Sequence, residues 1–326
     1  MTHPRTTRSL DVPGATLHYE TLGSGPVLAL VGHPMGSEDF QDLAQELAGE
    51  RTVLLHDPRG FGRSPLVDPD DDADPDVLGD DVARLLRAVG GGPAEVFGSS
   101  GGAVTALALT ARHPDLVRTV VAHEPPLISA LPDAEEVRAQ AEAVVALLHE
   151  QGLGPAFGAF LAMAGFDRPG DAPEGPGASV DAPPGVSGDA PGAPVEGASA
   201  TRASVGDASV QGAASAQGGT SLQEQSPGEP TAQGQEEAGY RLLAHGLVPV
   251  CTYPLPASAL RSTGARVVLA AGEDSGAQLP RRAAEAVAAQ LGTPLMEFPG
   301  DHAPWVRAMG GDPVRFAARL REVLTG

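Results

Sequence analysis

The chain has 326 residues, 41% of them hydrophobic, which is enough for a sizeable core, but only 4% are aromatic, and 42 Gly with 31 Pro exceed ordinary usage. A formal net charge of −21 repels phosphate backbones and anionic headgroups, arguing against nucleic-acid and membrane partners and for a small-molecule substrate. One cysteine, Cys251, allows neither an internal disulfide nor a cysteine-based zinc site; no apolar run reaches about 18 residues, and the opening "MTHPRTTRSLDVPG" lacks a signal peptide's apolar core, so a cytoplasmic protein is expected.

In chain order, "SLDVPGATLHYE" predicts a β-hairpin around Pro13-Gly14, followed by a buried strand "VLALV" (27–31) that enters the loop "GHPMGS". Phe40, Leu43 and Leu47 recur at helical spacing. The pattern repeats with "TVLLH" (52–56), the loop "DPRGFGRS", an acidic loop (68–76) and a helix marked by Leu78, Val82, Leu85, Leu86 and Val89. Next come the strand "AEVFG", the Ala- and Leu-rich helix "SSGGAVTALALTARH" and the strand "VRTVVAHEPP". Later, "ARVVLAAGEDSG" and "PLMEFPGDH" predict two more strands around the helix "RRAAEAVAAQL", before a final helix with Val314, Ala317, Leu320 and Leu324 on one face. Alternating strands and helices imply a mostly parallel central sheet with helices on both faces.

The segment between these units differs. Val137, Ala141, Val144 and Leu148 form one helical face, "AFGAFLAMAGF" (156–166) predicts a second apolar helix, and order resumes at "GYRLLAHGLVPVCTYPLPASAL". Between them, Pro169 to Glu237 has no aromatic residue, one Leu and no sustained periodicity, so too little apolar surface is available to offset ordering entropy. The expected organisation is a core of 1–130 and 261–326, a small helical cap of 131–168 and 238–260 over the carboxyl ends of the strands, and a disordered acidic insert at 169–237.

The sharpest chemical signal is Gly98-Ser99-Ser100-Gly101-Gly102 in "VFGSSGGAV", a G-x-S-x-G sequence between a predicted strand and a predicted helix. A nucleophile on so sharp a turn needs small residues two positions before and after it. This selects Ser100 over Ser99, which would require Phe97 to be small. With this elbow, "GHPMGS" after the first buried strand, "DPRGFGRS" after the next and the late His302 in "FPGDH", the chain resembles the α/β-hydrolase-fold serine hydrolases over essentially all its predicted ordered parts.

That resemblance implies a cofactor-independent hydrolase acting on an ester or related acyl bond, with Ser100 as nucleophile and His302 as base. Thioester, carbon–carbon and perhydrolase chemistries occur in the same fold, and a non-catalytic binding protein is the alternative of a different class. Most relatives carry the acid three residues after the Gly ending the penultimate strand, here Gly272, and that slot holds Ser275. Two carboxylates therefore compete: Asp274, one residue earlier, and the preferred Glu124, at the end of the strand after the nucleophile's helix, where some relatives place the acid. Pro125 is expected to hold Glu124 in extended geometry. The oxyanion donors implied are the backbone N–H groups of Met35 and Gly101, Pro34 having none. His33 and the Asp57 and Arg59 loop read as structural, Trp305 as either pocket lining or an anchor for the last helix, and Cys251 as a small apolar residue. No metal site is expected, and oligomeric state has no sequence signal.

Overall fold

The computed structural model describes residues 3–166 and 232–326. Most of the predicted insert therefore lies outside the described residues. Its last residues do not: 232–237, counted in the insert, belong to the helix Ala232–Arg241.

The described strands are β1 (Arg5–Val12), β2 (Ala15–Gly23), β3 (Val27–Val31), β4 (Thr52–His56), β5 (Ala94–Ser99), β6 (Val117–His123), β7 (Arg266–Gly272) and β8 (Leu295–Phe298). They form one sheet in the order β1-β2-β4-β3-β5-β6-β7-β8. The β1/β2 hairpin turns at Gly14, whose φ of 80° suits glycine, and pairs antiparallel onto β4; from β4 to β8 neighbouring strands are parallel. The helices are α1 (Gln41–Leu47), α2 (Pro75–Val89), α3 (Gly101–Arg112), α4 (Ala134–Gln151), α5 (Leu153–Ala164), α6 (Ala232–Arg241), α7 (Leu247–Cys251), α8 (Ala257–Ser262), α9 (Leu279–Leu291) and α10 (Pro313–Thr325).

Strand side chains alternate between faces, so β3, apolar throughout, feeds two cores at once. Leu28 and Leu30 pack with Leu43 and Leu47 of α1 and Phe316 and Leu320 of α10. Val27, Ala29 and Val31 pack with Val82, Leu85 and Leu86 of α2 and Leu109 of α3. A third cluster joins Val104 and Leu107 of α3 to Leu260 of α8 and Val287 of α9. The sheet is thus covered on both faces. The remaining helices form their own cluster, in which Val137, Ala141, Val144 and Leu148 of α4 meet Leu243, Leu247 and Cys251, and Leu279 and Ala283 of α9.

The chain reverses direction across the sheet at β3, with β4 on one side and β5 on the other. Open parallel sheets bind ligands in the crevice at such a switch point, outside the carboxyl ends of the strands. Here the loops after β3 and β5 meet. Residues 242–246 between α6 and α7 form a single π-helical turn, and a Cβ on Gly246 would lie 3.1 Å from the His33 ring. The helical segment therefore rests on the loop after β3.

Candidate active site

Ser100 leaves β5 and caps α3 with φ 54° and ψ −127°. Among the described non-glycine residues, only Ser100 and Glu124 have positive φ. Such geometry costs on the order of 1–3 kcal/mol per residue and persists only where the surroundings impose it. At Ser100 they do. Its N–H donates to His123 O at 3.0 Å, and the turn is closed by glycines that admit no side chain. A Cβ on Gly98 would lie 2.5 Å from Gly102 O, and one on Gly102 would lie 2.2 Å from Val31 O. These contacts are the steric reason for the elbow's small residues.

The loop after β3 faces the elbow. A Cβ on Gly101 would come within 2.9 Å of His33 O, and Gly32 lies under Met35, where a Cβ would meet Met35 O at 2.3 Å. Gly101 opens α3, so its N–H has no intrahelical acceptor. His33 is buried with its Nε2 unpartnered, and burial followed by the charge of Arg241 pushes it down to about 4, so it is neutral at pH 7.

Glu124 follows β6 and is fully buried. Its N–H donates to Ala270 O at 2.9 Å, its Oε1 accepts from the N–H of Gly272 at 2.9 Å, and its Oε2 lies 2.6 Å from His302 Nδ1. Burial raises the Glu124 carboxyl, but the bond to His302, the adjacent imidazoles and the Ser275 hydroxyl outweigh it and hold the group down at about 2. An ionised carboxylate only accepts, so His302 Nδ1 carries the proton and donates, leaving Nε2 as the basic nitrogen. The Phe166 ring lies 5.1 Å from the His302 ring. Neither His302 Nε2 nor Ser100 Oγ hydrogen-bonds another described residue.

The structure thus brings Glu124 to His302 and leaves Asp274 apart. Asp274 is exposed, and its N–H donates to Gly300 O at 2.9 Å. One expectation needs correction: Glu124 is not extended before Pro125 but has φ 50°. Its backbone bond to Ala270 and the two bonds on its carboxylate hold it there against the local preference.

The loop after β4 braces the site from a distance. Asp57 accepts from the N–H and hydroxyl of Ser37 and from the N–H and Nε of Arg63, while Arg59 makes a bidentate pair with Asp81. Trp305 is fully buried against Phe40, Phe97 and Phe316, so it anchors α10 and does not line a pocket. Cys251 is buried, and desolvation pushes its thiol up to about 12, as suits an inert apolar residue. Phe166 and Ser275 were not singled out as site residues by sequence, because nothing local marks a phenylalanine at a helix end or a loop serine as a neighbour of the His302–Glu124 pair.

A family model described as alpha/beta hydrolase fold matches residues 25–167. The chain has the α/β-hydrolase fold. This hydrolase-fold chain is 43% identical over 124 residues to an uncharacterized hydrolase, YraK, of Bacillus subtilis (strain 168), covering 38% of the chain and 46% of that relative. It is 34% identical over 116 residues to 2-(acetamidomethylene)succinate hydrolase of Mesorhizobium japonicum, covering 35% and 41%. The matched stretch spans less than half the length of these curated relatives. Among solved structures, a thermophilic esterase from Thermogutta terrifontis superposes with a TM-score of 0.62 at 18% identity, covering 99% of the hydrolase-fold chain and 98% of the esterase. Among the described residues no helix is long and apolar enough to cross a membrane.

Proposed function

We propose that the protein is a serine hydrolase that cleaves an ester or related acyl bond through Ser100, His302 and Glu124, without a cofactor. The observation that carries this reading is the 2.6 Å contact of His302 Nδ1 with the buried Glu124 carboxylate, in a chain that also holds Ser100 on a strained strand-to-helix turn. A serine hydroxyl is a weak nucleophile and needs such an oriented base. The Ser100–His302 hydrogen bond forms in the substrate complex, as catalytic bonds often tighten only then.

In the first half-reaction Ser100 Oγ bonds to the acyl carbon while His302 Nε2 takes its proton, and the Glu124 carboxylate stabilises the imidazolium without itself being protonated. The N–H groups of Gly101 and Met35 bind the oxyanion, each such donor lowering the barrier by about 3 kcal/mol. Collapse breaks the bond to the leaving group, which departs with the proton from His302. Water, deprotonated by His302, then releases the acyl group from Ser100.

The names of the relatives, a 2-(acetamidomethylene)succinate hydrolase and an esterase among them, agree with hydrolysis. The Glu124–His302 contact, which supplies an acid despite the Ser275 departure from the usual position, supports catalysis over a non-catalytic binding role. A fluorophosphonate probe should label the purified protein, and Ser100→Ala should abolish labelling; labelling that persists in the variant overturns the assignment.

A further inference from the structure

Ser275 occupies the position, three residues after Gly272, where the sequence pattern leads one to expect a carboxylate. It is 1% exposed, in a turn whose N–H donates to Gly272 O at 3.3 Å, and its neighbours Asp274 and Gly276 face solvent. So short and polar a side chain has no packing reason to be inside. Its Oγ is directed at the Gly272 backbone: a Cβ on Gly272 would lie 2.7 Å from it. The Gly272 N–H is itself the donor to Glu124 Oε1. The hydroxyl is buried and makes no hydrogen bond, a costly state that rotation of its proton toward a nearby acceptor would relieve. Glu124 is joined to the same turn through the Gly272 N–H and has spare capacity, since each of its oxygens takes one hydrogen bond and a carboxylate offers about four lone-pair sites.

We propose that Ser275 is a positioning residue for the acid: its hydroxyl donates to the Glu124 carboxylate and, together with the Gly272 N–H, fixes the oxygen pair that orients His302. Glu124 is one methylene longer than an aspartate and sits on a strained backbone, so its carboxylate needs fixing from the far side. The Ser275 hydroxyl also counts among the groups holding Glu124 ionised. The inference rests on the serine-hydrolase reading above.

The test compares Ser275→Ala, Ser275→Cys and Glu124→Gln in the full chain, with a short activated ester as substrate and the proton resonance of His302 Nδ1–H as a second readout. Ser275→Ala should lower kcat about tenfold with KM within about twofold, the loss expected for one hydrogen bond to a charged group, and should move the Nδ1–H resonance upfield. Ser275→Cys keeps the shape with a weak donor and should resemble the alanine variant. Placing an acid at the slot, Ser275→Asp in the Glu124→Gln background, should restore at least tenfold of the lost rate. Wild-type kcat and an unmoved resonance in the alanine and cysteine variants overturn the role of Ser275 while leaving the triad standing, provided Glu124→Gln is strongly impaired. An unimpaired Glu124→Gln overturns both.

Discussion

Glu124 reaches His302 across 178 positions of sequence, and that separation explains what could and could not be read from the residues. Ser100 announces itself locally, because its strained turn requires Gly98 and Gly102 within two positions, and His302 follows from its place after the last strand. The acid carries no such local mark. A buried carboxylate at the end of β6 and an exposed one after β7 look alike in sequence, and only the sheet order, which sets β6 beside β7, brings Glu124 to the imidazole. Glu124→Gln should retain the shape of the site but lose the charge that fixes the Nδ1–H tautomer and stabilises the imidazolium. The expected loss in kcat is about 10³- to 10⁴-fold. Asp274→Asn, at an exposed position outside this network, should stay within about twofold of wild type. Steady-state rates on an activated ester decide between the two carboxylates, and the opposite ranking would reassign the acid.

At the scale of elements, the site depends on how closely α3 approaches β3. The Gly102 position faces backbone, with Val31 O and Gly32 Cα at 2.2 and 2.6 Å from a Cβ, so no side-chain rotation relieves a methyl group there. Gly102→Ala should therefore destabilise the protein by about 2 kcal/mol, since overpacking against backbone forces the helix off the strand. Gly49→Ala meets nothing within 4 Å and should be close to neutral. Thermal unfolding of the pair measures the difference; equal melting temperatures would refute the close-packed elbow. Strands such as Val27–Val31 were legible as elements because continuous apolar runs bounded by glycine loops have few alternatives. Helix α6 was not legible at its start, because "AQGQEEAGYR" has no apolar stripe. Tertiary contacts hold its end instead: Arg241 donates to Pro69 O and Asp71 O, and its guanidinium lies 5.8 Å from the Phe61 ring.

At the scale of the whole molecule, burial among the described residues keeps His33, His56 and His123 neutral in the interior. Both ring nitrogens of His56 and of His123 lack partners, and His123 is surrounded by Phe97, Phe298, Trp305 and Phe316. Burial lowers all three, His33 and His123 to about 4 from an ordinary 6.5. A group whose pKa is lower in the folded state leaves the unfolded chain binding more protons below pH 6.5, so stability falls as pH drops from 6.5 towards 4. His33 and His123 each account for about 3 kcal/mol over that window, a large share of a typical domain's total. The carboxylates Glu124 and Asp57, held down at about 2, act with the same sign but below about pH 4.5. Relief of the −21 net charge acts with the opposite sign, and it too sets in mainly where carboxylates begin to protonate. Between pH 6.5 and 5 the histidines therefore dominate. Urea midpoints should fall steeply over this range, with an uptake on unfolding near pH 5 of about two protons from His33 and His123, to which His56 adds. His123→Phe should reduce that uptake by about one proton, whatever its effect on stability at pH 7, because the slope counts protons and not contacts. A stability independent of pH between 7 and 5 would show that these imidazoles are already solvated or paired in the native state.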